Sequence, residues 1–339
     1  DMPDDADPLE WGYARALADQ EATLARMGVH FDVWFSERSM VDSGAIDTTL
    51  ADLRARGVVY EEDRATWLRS TDYGDDKDRV LVKSDGDFTY LTPDIAYHAD
   101  KLSRSDQLID VLGADHHGYV PRMRAALAAL GHDPEVLDVR VVQLVKIMRG
   151  AEEVRLSKRA GDIVELRDVI DEVGSDATGF TFLGQSLDSQ QVFDLELAAS
   201  RAMDNPVFYT QYAHARIASI QRKAAEAGID REPLTRVDFA LLAHDRELEV
   251  LRQVFALWGM IEIAGRERAP HRLAGSLRDL AAAFHGFYHD CYVIGTDVDA
   301  DLTQARLWLV EAARVALVAG LGLLGMSAPD SMWVEEAEE

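Results

Sequence analysis

Leu108-Ile109-Asp110-Val111-Leu112-Gly113-Ala114-Asp115-His116-His117-Gly118-Tyr119 reads as an apolar strand, a polar turn bounded by glycines, and the start of a helix whose spacing continues to about Leu130. In an open α/β sheet, ligands bind beyond the carboxyl ends of strands and near helix N-termini, so Gly113 to Gly118 is where chemistry would sit. Asp115, His116 and His117 are metal-ligating types. Adjacent side chains rarely converge on one ion, however, and the turn reads equally well as purely structural. We expect no metal site.

Outward from this turn, the hydrophobic period alternates between helix and strand. Trp11, Ala14, Leu17, Leu24 and Met27 share one face of a helix expected over residues 8–28, and residues 30–35 alternate as a strand. A helix is expected over 42–57, short strands over 58–60 and 66–69, and a hairpin of 80–83 with 88–91 about Ser84-Asp85-Gly86-Asp87. A helix over 93–102 and a strand over 139–148 complete a doubly wound, Rossmann-like α/β domain with hairpin insertions. Strand signals fade after about Gly174. Residues 205–228, 236–265, 270–293 and 300–325 carry apolar positions at helical spacing, separated by Gly or Pro, which predicts an all-α bundle. The boundary is placed between 195 and 204, giving domains 1–200 and 201–339.

The 339 residues are 47% hydrophobic, an ordinary soluble composition with room for two domains. No apolar run is long enough for a membrane span; residues 315–324 come nearest but contain Gly320 and Gly322 and read as a buried helix end. The single Cys291 excludes a disulfide within the chain and any multi-cysteine zinc site, so a reducing cytoplasm is expected. The net charge of −26 argues against a generic nucleic-acid surface. With 6 Lys against 29 Arg and 61 acidic residues, that charge fits a protein kept hydrated in high salt. The acidic opening, residues 1–8, reads as a linker or an interior cut, with a large part of the molecule expected upstream.

Three further stretches carry chemistry-bearing residues. Val154-Arg155-Leu156-Ser157-Lys158-Arg159-Ala160-Gly161 places a hydroxyl, an ammonium and two guanidinium groups on one short segment. Such a set suits a polyphosphate, although a solvated basic turn is the plainer reading of a lone Ser-Lys-Arg. In Tyr90-Leu91-Thr92-Pro93-Asp94-Ile95-Ala96-Tyr97-His98, Thr92 fits an N-cap and Pro93 the first helical position, where Asp94 would favour the helix dipole. Alternatively, Tyr90 and Asp94 receive a cationic group, since a buried guanidinium requires an acidic partner. On Asn205-Pro206-Val207-Phe208-Tyr209-Thr210-Gln211-Tyr212-Ala213-His214-Ala215-Arg216, the residues Tyr209, Tyr212 and Arg216 share a helical face. They form either a stacking platform for bases or part of a core.

Together, and in this order and spacing, these segments resemble the C-terminal part of the class I arginyl-tRNA synthetases, over about residues 28–332. The resemblance implies a two-step reaction in which arginine attacks the α-phosphate of ATP to give arginyl-adenylate, and the arginyl group then passes to the terminal adenosine of the arginine tRNA. It implies Mg²⁺ on the phosphates and Lys158, Ser157 and Arg155 as catalytic groups of the family's phosphate loop, with Leu156 and Arg159 on ATP. Arg155 and Leu156 depart from the commoner Lys-Met opening of that loop but keep charge and bulk. It further implies Tyr90, Asp94 and His116 on the substrate arginine, and Gly113, Asp115 and His117 on ATP. The bundle would be the anticodon-binding domain, with Tyr209 and Tyr212 facing bases, Met332 adding an apolar contact, and Arg216, Arg222 and Lys223 reaching phosphates. The complete protein is expected to be a monomer without membrane association.

The family's HxGH signature is not in this chain, and His285 with His289 forms an HxxxH pattern elsewhere. The chain is therefore expected to supply part of an active site and to be inactive alone. The alternative is a truncated, non-catalytic relative acting as an RNA-binding or regulatory module. A cysteine-specific relative is disfavoured by the single Cys291, because thiol recognition there rests on a multi-ligand zinc site.

Overall fold

The computed structural model describes residues 2–154 and 164–333, and the chain divides into two units, residues 31–144 and residues 1–30 with 145–339. The second of these begins with helix α1 (Pro8–Arg26), capped by Asp7, whose carboxylate accepts from the amides of Leu9 and Glu10, and followed by Met27 as C-cap and the αL Gly28.

In the unit of residues 31–144, the run 30–35 forms no strand. Its alternation has no ladder partner among the described residues, and Phe31, Val33 and Trp34 remain exposed. The helix expected over 42–57 is two helices, α2 (Glu37–Ser43) and α3 (Ala45–Ala55), broken at Gly44, which adopts φ +71°. Strands β1 (Val59–Glu62), β2 (Ala65–Leu68) and β3 (Arg79–Val82) make an antiparallel sheet in that order. The return arm of the expected hairpin is reduced to a single bridge between Val82 and Phe88, because helix α4 (Leu91–Leu102) begins earlier than expected. Thr92 is accordingly not an N-cap. Its buried hydroxyl donates to the Leu81 carbonyl at 2.7 Å and fastens the helix start to β3, while Pro93 is tolerated in a first turn whose N–H groups lack helical partners anyway. Strand β4 (Leu108–Gly113), helix α5 (Tyr119–Ala129) and strand β5 (Leu137–Val142) follow, the two strands pairing in parallel. Leu53, Leu68, Leu81, Ile95, Met123, Leu127 and Leu137, all fully buried, tie these elements into one core.

The strand expected over 139–148 is two strands in different sheets. The second, β6 (Val145–Arg149), pairs antiparallel with β7 (Glu152–Glu153) and parallel with β8 (Gln191–Asp194). β8 is too short to stand out in the sequence, although its burial alternates, with Gln191 and Phe193 inward. The mixed α/β character is as expected, and among the described residues the strands fall in three small sheets. Helices α6 (Leu166–Val173), α7 (Ser175–Leu183) and α8 (Leu195–Ala199) lead to the bundle of α9 (Pro206–Glu226), α10 (Asp245–Glu267), α11 (Pro270–Asp290) and α12 (Ala300–Leu323). Of the four helices expected in the bundle, α10 departs most, starting at Asp245 and not near 236. His244 and Glu247 form a reciprocal capping box there, and the preceding residues make two 3₁₀ turns. Leu277, Leu280, Phe284 and Phe287 of α11 pack with Leu307, Leu309, Leu317 and Leu321 of α12 in a continuous core.

Candidate functional site

The first candidate site lies within the unit of residues 31–144, on the first two turns of α4 and along β4. Tyr90 precedes the helix and is 91% exposed. One turn on, the half-buried Asp94 carboxylate makes no ion pair or side-chain hydrogen bond among the described residues. Burial pushes its carboxyl above the usual range, with Glu37 and Asp110 adding to the rise and His98 and Lys101 opposing it. Asp110 interrupts the apolar pattern of β4 and is partnered twice: Nε2 of His98 lies 2.7 Å from Oδ2, and Nζ of Lys101 donates to Oδ1 at 2.9 Å. Burial alone would raise Asp110, but the two hydrogen bonds and the two charges outweigh it and hold its carboxyl at about 2. Burial, followed by the negative charge of Asp94 and Asp110, pushes the Tyr119 phenol well above its ordinary range.

Helical spacing assembles this group. His98 and Lys101 follow Asp94 on α4, and His98 Nδ1 closes on the Asp94 carbonyl at 2.7 Å. Tyr97 stacks on Phe35 with centroids 4.2 Å apart and carries the Lys101 ammonium 4.3 Å over its ring. Tyr97, Lys101, Asp110 and the role of His98 were missed in the sequence. The available signal was the acidic Asp110 inside an apolar strand, which requires a buried cationic partner.

The turn after β4 carries the other expected ligand groups. Asp115, His116 and His117 are all exposed, with His116 Nε2 3.7 Å from Asp115 Oδ1 and its ring edge-on to Tyr119 at 6.2 Å. A Cβ on Gly113 would stand 2.9 Å from Asp115 Oδ1, so a glycine there lets the carboxylate fold back on the strand end. Arg155, Leu156, Ser157, Lys158 and Arg159 lie outside the described residues.

A second candidate site is the half-buried face of α9 that carries Tyr209, Tyr212 and Arg216. Tyr209 is half-buried and packs on the core, its ring edge-on to His285 at 4.6 Å. Tyr212 stacks on Phe208 with centroids 5.5 Å apart. The Arg216 guanidinium lies between the rings of Tyr212 and Tyr288, 4.7 and 4.6 Å from their centroids. Its Nη1 donates to Nδ1 of His285 at 3.0 Å, and Nε2 of His285 faces the Tyr209 carbonyl at 3.0 Å, which fixes a neutral ring with the hydrogen on Nε2. Burial, and then the Arg216 charge, hold the His285 pKa below 6.5 against the opposing effect of that carbonyl. Tyr212 and Arg216 thus belong to a stack shared between α9 and α11, to which His285 and Tyr288 contribute.

The segment after α12 runs along the same helix. Gln211 donates to the Ser327 carbonyl at 2.9 Å, His214 Nδ1 to the Pro329 carbonyl at 3.0 Å, and Arg222 to the Asp330 carbonyl at 3.0 Å. Arg222, expected to reach phosphate, therefore holds the tail, whereas Lys223 is exposed. Met332 ends beside Phe208, Arg201 and Trp333 around a cavity of about 210 Å³, with the Arg201 guanidinium 4.6 Å over the Trp333 ring.

Residues 10–184 match the profile of the class I (R) tRNA synthetase catalytic domain, and residues 210–332 that of the DALR anticodon binding domain. The chain is 49% identical over 339 residues to the arginine–tRNA ligase of Frankia alni, covering 98% of this chain and 61% of that protein. To the arginine–tRNA ligase of Staphylococcus epidermidis it is 48% identical over 310 residues, covering 91% of this chain and 55% of that protein. A crystal structure from Campylobacter jejuni, described as an arginyl-tRNA synthetase, superposes with a TM-score of 0.86 at 33% identity, covering 95% of this chain and 69% of that one. The chain thus spans little more than half the length of the curated relatives it matches.

Proposed function

The chain belongs to the class I arginyl-tRNA synthetases, and from that premise we propose that it serves arginine–tRNA ligation, supplying part of the arginine and ATP site up to about residue 200 and the anticodon-binding domain from 201. One observation carries the substrate reading. Asp94 is a half-buried carboxylate with no cation of its own among the described residues, next to an Asp110 that has two. A guanidinium, which stays charged at any working pH and donates in a planar fork, is the ligand that completes it. Tyr90 and His116, both exposed, would close on that ligand, while Gly113, Asp115 and His117 at the strand end would receive the adenosine side of ATP.

In the activation step the arginine carboxylate attacks the α-phosphate and pyrophosphate leaves, with positioning and charge stabilisation as the protein's contribution. Ser157, Lys158, Arg155, Leu156 and Arg159 would face the phosphates. Mg²⁺, when bound, would neutralise phosphate charge. Among the described residues no group of three or more His, Cys, Asp or Glu is placed to hold an ion. On the bundle, Tyr212, Arg216 and Met332 offer flat and apolar surface to tRNA bases, with Tyr209 supporting them from the core side. No helix among the described residues is long and apolar enough to cross a membrane, and we place the complete protein in the cytoplasm as a monomer.

Amino-acid-dependent pyrophosphate exchange on the complete enzyme, with and without tRNA, tests this reading. Arginine should drive the exchange, and Asp94→Ala should lower kcat/KM for arginine by about a hundredfold or more, the loss expected when a charged group is left unpaired. Arginine activation within about threefold of wild type in that variant would show the assignment to be wrong.

A further inference from the structure

The donor and acceptor balance around His98 fixes its charge. The ring is almost wholly buried, at 2% exposure, so water does not complete its hydrogen bonding. Nδ1 faces the main-chain oxygen of Asp94 and Nε2 faces the Asp110 carboxylate, both at 2.7 Å. A carbonyl and a carboxylate only accept, so both ring nitrogens must donate, and a ring with two N–H groups is an imidazolium. A protonated Asp110 would relieve one of these demands. Lys101 opposes that by donating to the other carboxylate oxygen, and Asp110 stays ionised down to about 2.

This cation sits among groups from every neighbouring element. On α4 it meets Asp94, Tyr97 and Lys101; on β4, Asp110; on α5, Tyr119, which in turn feels Arg122; and Glu37 of α2 acts on Asp94. Asp94 and Asp110 are balanced by His98 and Lys101. Without the imidazolium, Asp94 would face Asp110 and Glu37 with only Lys101 to favour its charged form.

We infer that His98 is a positioning residue of the arginine site: as a buried imidazolium it ties the turn of α4 that carries Asp94 to β4, and it keeps the Asp94 carboxylate ionised for the guanidinium. The inference rests on the reading of Asp94 proposed above. Arginine recognition is then lost on the acid side, where Asp94, its carboxyl already raised by burial, takes up a proton. Arginine itself does not titrate in this range.

The test is the pH dependence of KM for arginine and for ATP in pyrophosphate exchange by the complete enzyme, as wild type, His98→Gln and His98→Lys. In the Gln variant, KM for arginine should rise roughly tenfold at neutral pH, as expected for losing a hydrogen-bonded charge, with kcat and KM for ATP within about twofold. Its acid limb should move to higher pH, because Asp94 loses a neighbouring cation. Lysine, a donor-only cation, should return the acid limb towards its wild-type position, which a space-filling role for His98 would not produce. Should either variant fail to fold, ring ¹⁵N and ¹H spectra of the ¹⁵N-histidine-labelled wild type decide. His98 should carry two ring N–H hydrogens at neutral pH, one towards each of its acceptors. A single ring hydrogen at neutral pH, or a Gln variant with the wild-type arginine profile, would overturn the inference. Exchange by the wild type with an amino acid other than arginine would instead overturn the reading of the substrate, before any variant is made.

Discussion

Asp110 illustrates how one side chain converts burial into pH dependence. Its carboxyl titrates at 3.8 in the absence of the fold and at about 2 inside it, with the side chain 10% exposed. A depressed carboxylate contributes stability that is fully present above 3.8 and is lost as pH falls towards 2. The shift corresponds to about 2 kcal/mol. Asp110→Asn should therefore lower stability at neutral pH and flatten the dependence of unfolding free energy on pH between those two values, as measured by urea unfolding at a series of pH values. An unchanged slope would show that Asp110 does not differ between the folded and unfolded chain. The residue itself was legible as an acidic group in an apolar strand, but its partners were not. His98 and Lys101 sit twelve and nine positions away, and only the packing of α4 on β4 makes them neighbours. The same holds at Arg216, whose spacing from Tyr212 is helical, whereas its second ring, Tyr288, and its acceptor, His285, come from α11.

Elements followed the sequence where a side chain or a glycine enforces a boundary locally. Asn205 accepts from the Val207 amide and Pro206 opens α9, as the Asn-Pro pair predicts; Asp299 caps α12 in the same way. They departed where a tertiary partner takes over, as when the Thr92 hydroxyl turns to Leu81 instead of capping α4. The closeness of α11 and α12 is set at Gly320, where an added Cβ would meet Leu277 Cδ2 at 2.5 Å, Cγ at 3.1 Å and Cδ1 at 3.2 Å. Leu277 is fully buried and has nowhere to move. Alanine gains up to about 1 kcal/mol in helix propensity, but overpacking of this kind typically costs about 1–3 kcal/mol. Gly320→Ala should thus be destabilising by roughly 1–2 kcal/mol in denaturant unfolding, and a stabilised variant would mean that the helices separate without cost.

Across the whole molecule, 61 acidic residues against 35 basic ones leave a charge of −26, so self-repulsion opposes folding when it is unscreened. Salt shortens the range of that repulsion to about 3 Å at 1 M. The melting temperature should rise from low to molar salt, and a higher value at low salt would count against a salt-adapted protein. The sequence by itself determined the local features of this protein: helix ends at caps and glycines, the apolar faces of the bundle, the mixed α/β class, and the motifs whose order carries the family resemblance. These follow from propensity and period, which act over a few residues. Tertiary structure alone decided the rest. It divided 139–148 between two sheets, paired β6 with a β8 more than forty residues away, and enclosed His98 between two acceptors. Pairing and charge state depend on which distant groups exclude water from each other, and spacing along the chain does not encode that distance.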